Sequence, residues 1–162
     1  MLLIRNTKLS DWEEIMEIYA GARRFMRSSG NPTQWGDTYP PEEIIREDIR
    51  LGHSYVCELD GRIQAVFSMI PGEDPFYRDI EGEWLNDAPY AAVHRVASRG
   101  EVPRLTDRIL TWSLARCGNI RIDTHDDNLP MQRALARNGF TKCGRMIFED
   151  GTPRIVYQKI LE

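Results

Sequence analysis

Ile120-Arg-Ile-Asp-Thr-His-Asp-Asp-Asn-Leu-Pro-Met-Gln-Arg-Ala-Leu-Ala-Arg-Asn-Gly-Phe140 reads as a strand, a polar turn, a helix and the start of a new strand. Ile120 and Ile122 alternate with polar neighbours, as a short strand requires. Pro130 falls in the first helical turn, where a missing N–H has no partner to lose, and Asn138-Gly139 supplies the stop. Asn128 or Asp126 can cap the helix by accepting from backbone N–H groups that are otherwise unpaired. Those N–H groups, with the positive end of the helix dipole, also suit an anionic or polar ligand. The turn is therefore a candidate binding edge.

Working outward, the rest of the chain resolves into similar units. Met1 to Arg5 reads as a first strand. Ser10-Asp-Trp-Glu13 has the form of a capping box, and Trp12, Ile15, Met16, Tyr19, Ala22 and Met26 recur at helical spacing, which predicts a helix from about Asp11 to Ser28. Pro40-Pro41-Glu-Glu opens a second, shorter helix that ends at Gly52. Tyr55 to Leu59 and Arg62 to Ile70 flank Asp60-Gly61, whose preference for positive φ matches a two-residue hairpin. A long connection from Pro71 to about Pro89 carries Glu73, Asp74, Phe76, Tyr77 and Trp84. A loop of that length in a compact domain is usually functional, and this one is a candidate wall of a substrate pocket. Tyr90 to Ala97 is a fourth strand, and Leu105, Ile109, Leu110, Trp112, Leu114 and Cys117 mark a third helix. After the Ile120–Phe140 unit, Pro153 to Ile160 closes the chain as a seventh strand. The order is β-α-α-β-β-β-α-β-α-β-β, an α/β domain with a mixed sheet.

The chain has 162 residues, the size of one ordinary domain, so a single domain over 1–162 is expected. Its composition is 41% hydrophobic and 28% charged, with no apolar run of the roughly 20 residues a membrane helix needs. The short N-terminal apolar run is no secretory signal, and a cytoplasmic protein without membrane contact is expected. A net charge of -4 argues against a nucleic-acid binder that works by neutralising phosphates. Three widely spaced cysteines, Cys57, Cys117 and Cys143, fit reduced core thiols better than a disulfide framework. His53, His94 and His125 are too scattered to argue for zinc, so no metal is expected.

This order of elements resembles the GCN5-related N-acetyltransferase (GNAT) superfamily. His94-Arg-Val-Ala97 looks like its central strand, and Ile120 through Asn128 to Asn138-Gly-Phe140 looks like its second cofactor motif. Phe25-Met26, Gln34-Trp35, Tyr39-Pro40, Glu73-Asp74-Pro75, Glu81-Gly82 with Trp84, Pro89-Tyr90 and Asp123-Thr-His125 are similar to a branch of small bacterial acetyltransferases. The resemblance covers essentially the whole chain. It implies acetyl-CoA as donor and a primary amine of a small molecule or peptide as acceptor, attacked directly in a ternary complex. It also implies that the fourth and fifth strands splay apart, that Val96 and Ser98 give main-chain bonds to the cofactor arm, and that Asn128 reaches that arm. The loop after the fourth strand and the first turn of the third helix would receive the pyrophosphate.

Two departures stand out. The family's loop carries two small residues that let backbone N–H groups approach phosphate, but here Glu101-Val-Pro-Arg-Leu-Thr106 puts Arg104 and Thr106 in their places, and Pro103 has no N–H. Either Arg104 and Arg108 hold the phosphates through charge-assisted bonds, with Gly100 supplying the turn, or cofactor affinity falls. The second departure is Leu135, at the position where many members carry a tyrosine that protonates the leaving thiolate. These departures keep an alternative open, a catalytically weak or inactive module for acyl-CoA sensing or protein contact.

Among the candidate chemical groups, His94 is the expected general base, since an imidazole titrates near ambient pH. By strand alternation it shares a face with Tyr90, Ala92 and Val96, opposite Arg95. A packed histidine with one hydrogen bond is the plain alternative. Glu73 and Asp74 are expected to bind the acceptor by attracting its ammonium, and Trp35 and Trp84 to wall its pocket, although ordinary packing explains aromatic residues equally well. The acceptor's identity is not written in the sequence, which also leaves monomer and homodimer open.

Overall fold

The structure, a computed structural model, describes residues 1–162. Its strands hydrogen-bond in the order β1-β2-β3-β5-β6-β8-β7-β4 in one mixed sheet, accompanied by four helices. The chain divides into two compact units, Met1–Met69 with His94–Leu105, and Ile70–Val93 with Thr106–Glu162. Strand β5 (Ala91–Ser98) contributes its first residues to the second unit and the remainder to the first. No helix is long and apolar enough to cross a membrane.

In the first unit, β1 (Leu2–Asn6) lies antiparallel to β2 (Ser54–Leu59), which turns into β3 (Arg62–Pro71). The expected hairpin turn is present, with positive φ at both Asp60 (51°) and Gly61 (83°). Helices α1 (Trp12–Ser28) and α2 (Glu42–Arg50) bury Ile15, Ile18, Tyr19, Ala22 and Ile45 against Val56, Ile63 and Val66. Sealing that many apolar side chains stabilises the unit by about 1.5–3 kcal/mol for each large one.

The start of α1 departs from the expected capping box. The Ser10 and Glu13 side chains do not form it, because Asp11 is drawn away to another cluster. Its carboxylate accepts from Lys8 N–H at 2.7 Å and from the Arg5 guanidinium at 2.9 and 3.1 Å, which folds Leu9–Asp11 into a 3-10 turn ahead of the helix.

In the second unit, α3 (Leu105–Cys117, its first residue in the other unit) leads to β6 (Asn119–Thr124), α4 (Leu129–Arg137), β7 (Thr141–Ile147) and β8 (Pro153–Ile160). The quoted stretch folds as its residues imply. Asn128 Oδ1 accepts from Met131 N–H at 3.2 Å and caps α4, while Asp126 instead takes both arms of Arg145 at 2.9 Å. At the other end Gly139 has φ 74°, which brings Phe140 N–H to Leu135 O at 3.0 Å.

The sequence anticipates seven strands, and the structure has eight. The additional one, β4 (Glu81–Gly82), lies inside the long connection and pairs with β7 through Glu81↔Arg145 and Gly82↔Gly144. Two residues are too few to show a period, so pattern alone does not reveal it. The same connection contains a 3-10 turn, Pro75–Tyr77. Of the cysteines only Cys57 is buried in the core; Cys117 is exposed and Cys143 half-buried.

Candidate active site

The expected site residues fall in both units. In the first unit, strand β5 carries His94, Val96 and Ser98, all half-buried. The strand does not keep the expected alternation, because Arg95 sits at φ 53° and interrupts the extended backbone. A buried polar cluster holds it there. Arg95 Nε donates to Asp48 Oδ2 and Nη2 to Asp48 Oδ1, both at 2.9 Å, while Ser68 Oγ donates to Asp48 Oδ2 at 2.7 Å and Tyr39 Oη lies 3.4 Å from Arg95 Nη1. Such a desolvated, two-pronged pair fixes a backbone conformation that the strand alone would reject.

The loop that follows is tied at its first residues. Arg99 N–H donates to Gln64 O at 2.9 Å, and its guanidinium reaches Ile63 O, Glu17 and Glu14. Glu101 accepts from Arg62 Nε and Nη2 and from Gln64, and these bonds hold its carboxyl below the usual range. Gly100 and Arg104 both have positive φ, 79° and 55°. Arg104 thus adopts a left-handed conformation that a glycine would adopt without cost. Its side chain is exposed, as is that of Arg108, and Thr106 is half-buried at the start of α3.

Trp35 belongs to the core of the first unit rather than to an open pocket. It is 7% exposed and packs between Tyr19 and Tyr39 at ring distances of 5.9 and 6.0 Å.

In the second unit, β5 and β6 pair through two residue pairs, Ala91↔Ile120 and Ala92↔Arg121. Leu135, fully buried on α4, is part of the packing. His125 is also buried, and its Nδ1 accepts from Asp127 N–H at 3.1 Å, which shapes the turn before α4.

The long connection builds a cavity of about 630 Å³ lined by Glu73, Tyr77, Trp84, Asp87, Tyr90 and Arg121 among others. Two expected substrate residues, Glu73 and Trp84, therefore line one cavity. Asp74 has another part: its Oδ1 accepts from Phe76 N–H at 2.9 Å and caps the 3-10 turn, and its own N–H donates to Tyr90 Oη at 2.7 Å. Trp84 is positioned by its indole N–H, which donates to Tyr77 O at 2.8 Å. Tyr77 Oη in turn donates to Asp123 Oδ2 at 2.6 Å.

Sequence reasoning passed over Arg121, Tyr90 and Asp87 in this cavity. The signal was available for Arg121, a full charge between two buried isoleucines on a short strand. Its aromatic partners lie some thirty positions earlier, where no local pattern connects them.

Comparison with known proteins agrees with this architecture. No family model matches the chain, and no curated protein matches it. Among solved structures, a GNAT-family acetyltransferase from Streptococcus agalactiae 2603 superposes with a TM-score of 0.91 at 30% identity, over 99% of this chain and 96% of that one. A GNAT-family acetyltransferase from Listeria monocytogenes 4b F2365 gives 0.75 at 21% identity, over 99% and 95%. A Salmonella typhimurium protein solved with its cofactor acetyl-CoA gives 0.64 at 18%, over 99% and 94%. The fold together with this likeness makes the protein an acyltransferase. The chain belongs to the GNAT family of acetyltransferases.

Proposed function

We propose that this enzyme transfers the acetyl group of acetyl-CoA to a primary amine by direct attack in a ternary complex. The amine nitrogen forms a bond to the thioester carbonyl carbon, the carbon–sulfur bond breaks, and coenzyme A leaves as a thiolate that takes up a proton. The observation that carries the reading is the likeness over 99% of this chain to a GNAT-family acetyltransferase, at 30% identity and a TM-score of 0.91.

In this reading the backbones of Val96 and Ser98 and the side chain of Asn128 hold the arm. Gly100, Arg104, Thr106 and Arg108 receive the pyrophosphate. The positive φ of Gly100 and Arg104 supports that assignment, since such turns aim successive N–H groups at an anion. His94 accepts the proton that the acceptor's ammonium must lose. Thiolate protonation falls to water, because Leu135 offers no hydroxyl, and a thiolate is a good enough leaving group for that. A cytoplasmic location belongs to this reading, since the composition of the chain is not that of a disulfide framework.

The test is incubation with acetyl-CoA and a panel of amines while free thiol is followed. Release above the enzyme-free rate for at least one amine is expected, and no such release with any acceptor would overturn the reading. His94→Gln should lower kcat by about 10²-fold or more and leave CoA affinity unchanged.

A further inference from the structure

Arg121 is the one buried guanidinium in this protein without a carboxylate partner. Arg95 has Asp48, Arg99 has Glu14 and Glu17, and Arg154 has Asp123 and Asp150. Arg121 is 6% exposed, and no carboxylate oxygen lies within 4.0 Å of it. Two aromatic rings pack on it, with the guanidinium carbon 4.1 Å from the centroid of Trp84 and 4.1 Å from that of Tyr90. Cation–π contact with two rings holds the guanidinium in place and leaves its edge for hydrogen bonds. On that edge Nη2 donates to Asn86 O at 2.8 Å, while Nε is buried without an acceptor. Of its five N–H groups only one has an acceptor within the protein, and the Nε–H is shut off from solvent as well. Leaving a buried charge and its donors unpaired is costly, and proteins retain such an arrangement where something else supplies the acceptor.

The cavity that Arg121 lines shows what that acceptor is. Its volume of about 630 Å³ lies within the roughly 300–1,000 Å³ of small-molecule sites. Arg121 is its buried charge. Glu73 and Asp87 are exposed on its lining, and Arg78 is tied to Glu73 at 3.3 Å. A single buried cation with acids toward solvent suits a ligand with one negative charge inward and a positive charge outward. A phosphate dianion would meet those acids unfavourably. A carboxylate offers two oxygens in one plane and matches the edge of a clamped guanidinium.

We propose that this cavity binds a carboxylate, and that the acceptor is an amine that also carries one: an amino acid, free or at the C-terminus of a peptide. The acceptor half of this statement rests on the acetyl-transfer reading; the carboxylate site does not.

The test reads Arg121 directly in the protein without acetyl-CoA. The arginine Nε–H signals are recorded by NMR, and the Arg121 signal is identified by its loss in Arg121→Lys. L-amino acids and their carboxamides are then added one at a time, followed by tripeptides with free and amidated C-termini. At least one acid should shift the Arg121 signal and bind at least tenfold more tightly than its amide. Because acid and amide are compared on the unaltered protein, the result does not depend on how well a variant folds. Arg121→Lys, with its folding checked by thermal melting, should bind that acid at least tenfold more weakly, since an ammonium lacks the fork. If peptide acids bind and free amino acids do not, the ligand is a peptide terminus; the reverse assigns free amino acids. Equal binding of acid and amide, no binding of any acid, or a shift with inorganic phosphate alone would overturn the proposal. Thiol release only with amines that lack a carboxylate would overturn the acceptor assignment and leave acetyl transfer standing.

Discussion

The Arg95 guanidinium and the Asp48 carboxylate form a two-pronged ion pair at 2.9 Å in the interior of the first unit, and this pair sets the backbone of β5 where its extended course breaks. Removing one partner leaves the other charge buried and unmatched. Asp48→Asn should therefore destabilise the protein by about 3–5 kcal/mol, read as a lower urea midpoint. Ser68→Ala removes one hydrogen bond to the same carboxylate, and its cost should be nearer 1 kcal/mol. Similar losses for both variants would show that the pair does not hold the strand.

The long connection is fastened at β4 by two glycines in direct apposition. A Cβ built on Gly82 would lie 2.1 Å from Cys143 O, and one on Gly144 would lie 2.1 Å from Glu81 O; both residues have positive φ, 142° and 153°. Gly82→Ala should thus cost about 2–3 kcal/mol by the combination of strain and clash. Gly72→Ala is the control, because that glycine has φ 96° with nothing within 4 Å of an added Cβ. Its loss should be smaller, about 1 kcal/mol. Comparable urea midpoints for the two variants would contradict the apposition.

How much of this was legible depends on the range of the forces involved. The Asn128 cap, Pro130 and the Asn138-Gly139 stop act within a few residues, so α4 was readable from the sequence, as was the Asp60-Gly61 hairpin. The start of α1 was not, because Arg5 and Lys8 take the Asp11 carboxylate across a turn that no helical period describes. Strand β4 depends on Gly144, more than sixty positions away. The interruption at Arg95 depends on Asp48 and Ser68, which lie on other elements. The fate of Trp35 as a core residue likewise followed from Tyr19 and Tyr39 closing on it. In the cavity, the aromatic loop pointed to Glu73 and Trp84, but the Arg121 charge against Trp84 and Tyr90 was visible only once β6 lay beside that loop.

Arg104 combines two contributions that substitution can separate. Its φ of 55° costs an L-residue about 1–2 kcal/mol, and its exposed guanidinium is the proposed phosphate contact. Arg104→Gly should remove the strain, offset in part by unfolded-chain entropy, for a net gain of up to about 1 kcal/mol in stability. Arg104→Ala keeps the strain and removes the charge, so CoA should bind about tenfold more weakly, a change of about 1.4 kcal/mol. Unchanged CoA affinity in Arg104→Ala, measured by calorimetry at low salt, would show that the side chain does not hold the phosphates.

Tyr77 and Asp123 give the protein an alkaline dependence with a definite sign. Burial first, and then the Asp123 carboxylate that its hydroxyl meets at 2.6 Å, push the Tyr77 phenol well above the ordinary value of 10. A folded-state pKa above the unfolded one stabilises fully below pH 10, and that contribution is lost as pH rises above it, because the native state then binds more protons than the unfolded chain. Tyr19, also raised by burial, adds to the same slope. Stability should therefore fall with pH above 10, less steeply in Tyr77→Phe. At neutral pH, Tyr77→Phe should itself cost about 1–3 kcal/mol, since Asp123 loses a donor to its buried carboxylate. Urea unfolding at a series of pH values measures both effects, and an alkaline slope identical in the two proteins would mean that Tyr77 ionises as readily folded as unfolded.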